Sequence, residues 1–498
     1  MRVEEKILTN LEQHRDQNCY WFNGEWHTCG ELLELVNECE NKLKRAGFSK
    51  GQRLVAMLKN DPLIPALSLA VWKLRGSFCP LNEKAGNDAL KHTLELLNPF
   101  AVIFSPEADK NISDEIKNSW QSVLCENELP EFKGRPSYED DENFAVIFST
   151  SGTTGKPKAV PLTHGNILAN CKATAENVYV LSEGDIFLNA LPNFHSFGYT
   201  CTIMLPLSIN AKIAIVPSFL PPSNTVKAII ESHVNVMYIV PAMMSFFVTS
   251  VEKGKIPAEI FMSQKFICTG GDRLSSGVRA TAVKLFGRDI IAEGYGLTET
   301  TPVLCMNRSI EDNKPGTVGP VLPSYEYKLK TRDDKLSNTN EGVLWVKGPC
   351  VTPGYYHAPE ISAERFDSEG FFNTGDYVKI DEDGYVTILD RITDIIIVSG
   401  FNVYPQEVER ILTEHPAVQT AIVVGMQNDT TGEIPEAFIQ RNEGFENVTE
   451  REIIKFAKER LAHFKVPRKV EFVEAFPLSS TGKILRRLLR EKAGKKSF

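Results

Sequence analysis

A chain of 498 residues, 42% hydrophobic and 24% charged, has an ordinary globular composition and the length for more than one domain. Its formal net charge of −9 gives no indication of a nucleic-acid partner, and its ten cysteines form no Cys-x-x-Cys pair and have no histidine partners at metal spacing. Thiols such as Cys79 and Cys268 sit beside apolar residues and read as buried, a usage that suits a reducing cytosol; the start, Met1-Arg2-Val3-Glu4-Glu5-Lys6, lacks the apolar centre of a signal peptide.

Along the chain, helical and strand patterns alternate from the start. Thr28 is placed to cap a helix beginning Cys29-Gly30-Glu31. Residues 53–58 read as a strand, 63–72 as an apolar helix stopped near Gly76, and 101–104 as a further strand. The run 144–148 predicts a buried strand, followed by a Ser/Thr/Gly loop, residues 159–162 and a helix opened by Thr163. Residues 186–211 carry no formal charge and are numerous enough to span a bilayer. Asn189, Pro192, Asn193, His195, Gly198, Pro206 and Asn210 interrupt them, so the run reads as buried strand and helix around a pocket. Strands are expected at 211–216, 234–240, 265–269 and 290–293, with helices at 225–232, capped by Asn224, and at 242–252. This rhythm argues for layered α/β sheets. After Gly316 shorter strands with turn signals, including Asp381-Glu382-Asp383-Gly384, suggest a β subdomain. Past Arg391 a small α+β unit is expected: a helix from Pro405, a strand over 418–424, a helix opened by the capping box Thr449-x-x-Glu452, and a strand over 468–473. The basic stretch 483–496 reads as a solvated helix end.

Five stretches carry chemistry. Phe148-Ser149-Thr150-Ser151-Gly152-Thr153-Thr154-Gly155-Lys156-Pro157-Lys158 hangs hydroxyls, glycines and two lysines off a core strand, a loop suited to phosphate. It is not a Walker A loop, because Pro157 follows Gly155-Lys156 where a hydroxyl residue would stand. Gly294-Tyr295-Gly296-Leu297-Thr298-Glu299-Thr300 follows a strand and offers a flat ring, a hydroxyl and a carboxylate fit for a hard cation; a strand, a glycine turn and a capped helix alone would also produce it. Asn373-Thr374-Gly375-Asp376 and Asp390-Arg391 place two charged groups near turns, where an Asp after Gly is commonly a turn residue. Pro477-Leu478-Ser479-Ser480-Thr481-Gly482-Lys483 sets a lysine on a glycine turn, and a surface lysine is ordinarily just solvated.

Taken together these stretches resemble the motifs of the adenylate-forming superfamily of acyl-CoA synthetases, luciferases and peptide-synthetase adenylation domains, from about residue 22 to 487, and Ile395-Ile396-Ile397-Val398-Ser399-Gly400-Phe401-Asn402-Val403-Tyr404-Pro405, which reads as a buried strand, a glycine turn and a proline-started helix, closely resembles bacterial fatty acyl-CoA synthetases. Ala159 replaces the more usual glycine. The resemblance implies an ATP- and acyl-binding N-terminal domain over 1–390, a hinge at 391–394 and a mobile C-terminal domain over 395–498. It implies ATP or AMP contacts from Thr150, Ser151, Gly152, Thr153, Thr154, Gly155, Lys158, Gly271, Tyr295, Gly296, Asp376 and Arg391, with Tyr295 on the adenine and Asp376 and Arg391 at the ribose. Thr298 would touch the α-phosphate, Glu299 bind Mg²⁺, and Lys483 stabilise charge as the α-phosphate is attacked. His195, Tyr238, Gly270 and Gly271 would border the acyl group; His195 serves to position substrate, since a carboxylate is already ionised at neutral pH. Ser399, Gly400 and Phe401 would line the thiol channel, and Thr393 stands where the family's hinge carries Asp or Lys.

The implied reaction joins a fatty acid to a thiol with ATP and Mg²⁺, through an acyl adenylate. Coenzyme A is the expected acceptor, and the pantetheine arm of acyl carrier protein is the alternative. A catalytically silent adenylate-binding protein and a luciferase-type oxygenase are the competing readings; the presence of Glu299, Asp376, Arg391 and Lys483 argues against the first. The expected setting is cytoplasmic, with peripheral contact at the inner membrane surface left open.

Overall fold

The computed structural model describes residues 1–126, 128–135, 137–151, 157–309, 311–428, 430–477 and 484–494. The chain forms two compact units, Met1–Tyr327 with Val346–Phe372 and Gly384–Val386, and Lys328–Trp345 with Asn373–Asp383 and Thr387–Phe498.

Two large sheets build the first unit. One runs, from edge to edge, Cys305–Met306, Ile291–Tyr295, Phe266–Thr269, Val236–Ile239, Ile186–Asn189, Lys212–Ile215, Asn18–Phe22, Glu25–Thr28. Its interior pairs are parallel and each end is closed by an antiparallel strand. The other runs Ser122–Leu124, Ala101–Phe104, Arg53–Met57, Ser77–Pro80, Phe144–Ser151, Pro157–Thr163, parallel until the final antiparallel hairpin. Parallel strands covered on both faces read as unbroken apolar runs, as Ala101–Phe104 does with all four residues buried. The helix Leu63–Lys73 is buried from Leu63 to Trp72, the expected fate of a helix apolar on every side.

Local signals place most boundaries. Thr28 and Thr163 each accept from the third residue of the following helix, Glu31 and Asn166, whose side chains accept in return. The helix expected at 225–232 begins earlier, at Pro222, because proline's fixed φ suits the first helical turn; Asn224 lies inside it and is not its cap. No helix among the described residues is long and apolar enough to cross a membrane. The uncharged run 186–211 is the strand Ile186–Asn189, the short helices Ser196–Tyr199 and Leu205–Ser208, and a widened turn between them over Thr200–Met204.

One buried cation organises the start of a central strand of the six-stranded sheet, Arg53–Met57. Arg53 is wholly buried and donates to Leu97 O (2.7 Å), Gly51 O (2.7 Å), Ser137 Oγ (2.6 Å) and Tyr138 O (3.0 Å), with its guanidinium 4.1 Å from the centre of the Tyr138 ring. Removing one member of such a buried set leaves carbonyl groups unpaired in low dielectric. Arg53→Met is expected to destabilise the first unit by about 3–5 kcal/mol, read as a lowered denaturation midpoint; a change within about 0.5 kcal/mol would show the set to be dispensable.

In the second unit the five-stranded sheet runs Phe401–Val403, Ile396–Val398, Gly432–Arg441, Val418–Asn428, and Lys469–Phe472 pairs with Gly432–Arg441. Strand alternation assigns its two faces. Ala421, Val423, Ala437 and Ile439 pack under the helices Pro405–Thr413 and Glu450–Lys458, while Ile422, Val424 and Phe438 meet Leu489 and Ala493. The tail helix Arg486–Gly494 is therefore a packed element on its Leu489 and Ala493 face, not only a solvated end, because the second face of the sheet needs a cover. A four-stranded sheet, Glu326–Lys330, Glu341–Lys347, Phe372–Ile380, Val386–Arg391, carries most of its residues in this unit.

Candidate functional site

The hydroxyl-rich loop hangs on a hairpin. Phe144–Ser151 pairs with Pro157–Thr163 up to Thr150 opposite Lys158 and Ser151 opposite Pro157, so the strand runs three residues past the expected end at Phe148. The Thr150 hydroxyl donates to Lys158 O at 3.4 Å. Gly152, Thr153, Thr154, Gly155 and the side chain of Ser151 lie outside the described residues.

A long-range strap fastens this hairpin to the second motif. At the helix that follows the hairpin, Asn166 Nδ2 donates to Pro349 O (2.7 Å) and Val351 O (3.0 Å), and Thr352 Oγ1 donates to Pro161 O (2.6 Å). The strap then reaches Glu299 twice. Thr352 N–H donates to Glu299 O at 2.9 Å, and the Tyr355 hydroxyl donates to Glu299 Oε1 at 2.7 Å. On its other side the Tyr355 ring lies 5.2 Å from Lys158 Nζ, a cation–π distance. Tyr355 thus joins the lysine of one motif to the carboxylate of the other. The motif reading missed it, as it missed Thr352. The only signal was the aromatic pair after Gly354, a weak one.

Glu299 is positioned by a backbone that only glycine allows. A Cβ on Gly296 would stand 1.6 Å from Pro302 O, so the chain turns tightly after Tyr295. The Thr300 hydroxyl accepts from Leu297 N–H at 2.9 Å and holds the short turn Thr298–Thr300. Thr298, buried, exchanges a 3.1 Å hydrogen bond with Ser196 Oγ. That bond links the carboxylate turn to the segment holding His195. His195 Nδ1 accepts from Phe197 N–H at 3.2 Å. Tyr295, Gly296, Glu299 and His195 are all half-buried.

The residues expected at an acyl group fall in an aromatic region of the same unit. Tyr238 is buried, stacked on Phe187 (6.1 Å) and edge-on to Phe197 (6.2 Å) and Phe266 (6.1 Å). A Cβ on Gly270 would come within 3.2 Å of the Phe197 ring, and Gly271 is exposed with φ +83°.

In the second unit Asp376 is 2% exposed and its Oδ1 accepts from Arg391 Nε at 2.7 Å. Asp376 N–H donates to the Thr374 hydroxyl, which donates to Leu344 O (2.7 Å), and Ile392 N–H donates to Gly375 O (2.9 Å). The sequence-predicted pair is therefore brought into direct contact. Next to it, burial pushes the Asp390 carboxyl up to about 7 against the pull of Arg486. Asp394 pairs with Arg490, and the Thr393 carbonyl accepts from the same guanidinium at 3.3 Å. Asp394, the charged residue beside Thr393, is thus held by the tail helix. Ser399 (φ +50°) and Gly400 (φ +83°) make a two-residue turn between paired Val398 and Phe401, as the primed hairpin turns require. Phe401 is 56% exposed and stacks on Phe464 at 4.7 Å. Ile397, expected in a buried strand, is exposed because only one face of that short strand meets the core. Lys483 lies outside the described residues.

A hairpin loop rich in hydroxyls, a Tyr-Gly-x-Thr-Glu turn and an Asp–Arg pair on an α/β framework define an adenylate-forming enzyme, and the chain belongs to the AMP-binding enzyme family: residues 8–356 match that family and residues 407–483 its C-terminal domain. Among its relatives, the long-chain-fatty-acid–CoA ligase of Bacillus subtilis is 35% identical across 98% of this chain and 94% of its own length. The 2-succinylbenzoate–CoA ligase of Bacillus cereus is 29% identical over 99% and 95%. The long-chain-fatty-acid–CoA ligase of Salmonella typhimurium is 34% identical over 71% of this chain, which spans 62% of that protein. Among solved structures, ATP-bound MatB from Rhodopseudomonas palustris superposes with a TM-score of 0.87 at 26% identity over 99% of both chains.

Proposed function

We propose that the protein is an AMP-forming acid–thiol ligase acting on fatty acids, with coenzyme A as acceptor. The observation that carries this reading is the Glu299–Tyr355–Lys158 arrangement beside the Thr150 hairpin: a carboxylate and a cation held apart by one ring, on the edge of a loop rich in phosphate-binding groups.

In the first half-reaction the substrate carboxylate attacks the α-phosphorus of ATP, the bond to the β-phosphate oxygen breaks, and pyrophosphate leaves. No nucleophilic side chain is required, so the protein's contribution is orientation and charge stabilisation. The hairpin loop and Lys158 hold phosphate oxygens, Thr298 donates toward the α-phosphate, Tyr295 offers its ring to adenine, and Asp376 with Arg391 takes the ribose hydroxyls. Lys483 stabilises the charge that develops on the α-phosphate. Glu299 fits a Mg²⁺ site, since its Oε1 is oriented by Tyr355 and this ion is commonly held by one or two carboxylates together with substrate phosphates and water. Bound there, Mg²⁺ would neutralise phosphate charge. His195, whose Nδ1 accepts from Phe197 N–H, positions the acyl carboxylate. In the second half-reaction the thiol attacks the acyl carbonyl and AMP leaves. Ser399, Gly400 and Phe401 border the thiol path, and a rotation about residues 391–394 exchanges the two half-reactions.

The fatty-acid assignment draws on the full-length relative named for long-chain substrates and on the buried aromatic wall at Tyr238. The test is pyrophosphate release across a panel of carboxylic acids, with and without coenzyme A and with acyl carrier protein in its place. Each methylene buried contributes about 0.8 kcal/mol, roughly fourfold in affinity, so apparent affinity is expected to climb with chain length until the site is filled. A preference for 2-succinylbenzoate, acetate or amino acids would overturn the fatty-acid reading. Thioester formed on the carrier protein alone would overturn coenzyme A. No pyrophosphate with any acid would favour a silent adenylate-binding protein.

A further inference from the structure

Away from this site, the first two strands of the first unit converge on a pair of thiols. Asn18–Phe22 and Glu25–Thr28 form a hairpin whose pairing joins Asn18 to Thr28 and Tyr20 to His27, leaving Cys19 as the extra residue of a bulge. The hairpin runs directly into the helix Cys29–Ala46, with Thr28 as cap and Cys29 as first residue. Cys29 N–H donates to Gln17 O at 2.9 Å, which draws the start of the helix against the bulge. Both thiol residues line one cavity of about 70 Å³, together with Gln17, Glu183, Asn210 and Lys212.

Their surroundings treat them differently. Contact with Cys19, then His14, lowers the Cys29 thiol despite burial, and the first turn of an 18-residue helix favours a thiolate there. Contact with Cys29 and burial raise Cys19 well above its ordinary value. The other eight cysteines are all raised, with burial the largest cause in each: Cys39, Cys79, Cys125 and Cys171 to about 12, and Cys201, Cys268, Cys305 and Cys350 upward as well. Of ten thiols, one is held toward the reactive form, and it has a second thiol beside it and a space open to a small molecule.

We propose that Cys29 and Cys19 are a redox-active pair, oxidised to a disulfide by a small hydroperoxide that enters the shared cavity. The Cys29 thiolate attacks the terminal peroxide oxygen, the O–O bond breaks, and the departing alkoxide or hydroxide takes a proton from water. Cys29 is thereby oxidised by two electrons to the sulfenic acid, and the peroxide is reduced to an alcohol or water. The Cys19 thiol then attacks the Cys29 sulfur, the S–O bond breaks, and hydroxide leaves with the Cys19 proton as water. Exchange with two equivalents of a small thiol restores the pair.

The test uses the full-length protein, treated with hydrogen peroxide, alkylated and cleaved after aromatic residues, which separates the two cysteines at Tyr20, Trp21 and Phe22. Mass spectrometry is expected to find a Cys19–Cys29 linkage at a dose that leaves the other eight cysteines alkylated. Cys19→Ser should halt at a sulfenic acid on Cys29 that dimedone traps, and Cys29→Ser should slow oxidation of Cys19 at least tenfold. Both cysteines alkylated in full after treatment, or other cysteines oxidised first, would overturn the proposal. The wild-type linkage decides the matter even if a variant folds poorly.

Discussion

Replacing Glu299 with glutamine is expected to lower adenylate formation by about two to three orders of magnitude, the scale on which one preorganised electrostatic group acts. Glutamine keeps an oxygen for the Tyr355 hydroxyl, and the Glu299 main chain keeps its bond from Thr352, so the turn should hold its shape. What is lost is the negative charge that suits a divalent cation. The defect should therefore appear as a raised Mg²⁺ requirement in ATP–pyrophosphate exchange, while thioester formation from supplied acyl adenylate stays within a few fold of the parent enzyme. An unchanged Mg²⁺ dependence, with the fold intact by circular dichroism, would remove Glu299 from the cation site.

The second large effect concerns Lys483. Lys483→Ala is expected to lower the first half-reaction by about 10²–10³-fold and to leave the second nearly untouched, because only the first builds charge on the α-phosphate. The element that follows is firmly held. Arg486 of the helix Arg486–Gly494 makes a paired bond to Glu409, with Nη2 to Oε2 at 2.8 Å, and Arg490 holds Asp394. Loss of the lysine head group should thus leave the tail helix in place, and the variant reports on charge alone. Equal losses in both half-reactions, measured separately by pyrophosphate exchange and by adenylate consumption with coenzyme A, would assign Lys483 a structural role.

Much of this protein is legible in short stretches of sequence. The caps at Thr28, Thr163 and Thr449 were readable because a capping box satisfies donors within one turn of chain. The buried strands at 101–104 and 53–57 were readable because both faces are covered and every residue is apolar or, like Arg53, fully hydrogen-bonded. The helix beginning at Pro222 was misjudged at its start, since Asn224 and Pro222 both signal a helix N-terminus and only the fold chose between them. The tail helix was misjudged in its burial, since its partners Ile422, Val424 and Phe438 lie more than forty residues away.

The site divides in the same way. Short motifs that resemble those of the adenylate-forming superfamily named Thr298, Glu299, Asp376 and Arg391 as chemical groups, because each is recognisable from the few residues around it. The hydrogen bond from Tyr355 to Glu299, across 56 residues, the place of Lys158 over the same ring, and the bond between Ser196 and Thr298 across 102 residues arose only from tertiary structure. The physical reason is range. Caps, glycine turns and strand alternation are decided by backbone sterics and hydrogen bonds within a few residues, so the sequence states them directly. Which half-buried polar groups meet is decided by how sheets and straps pack, where the cost of leaving any one of them unpaired selects partners that no local pattern records.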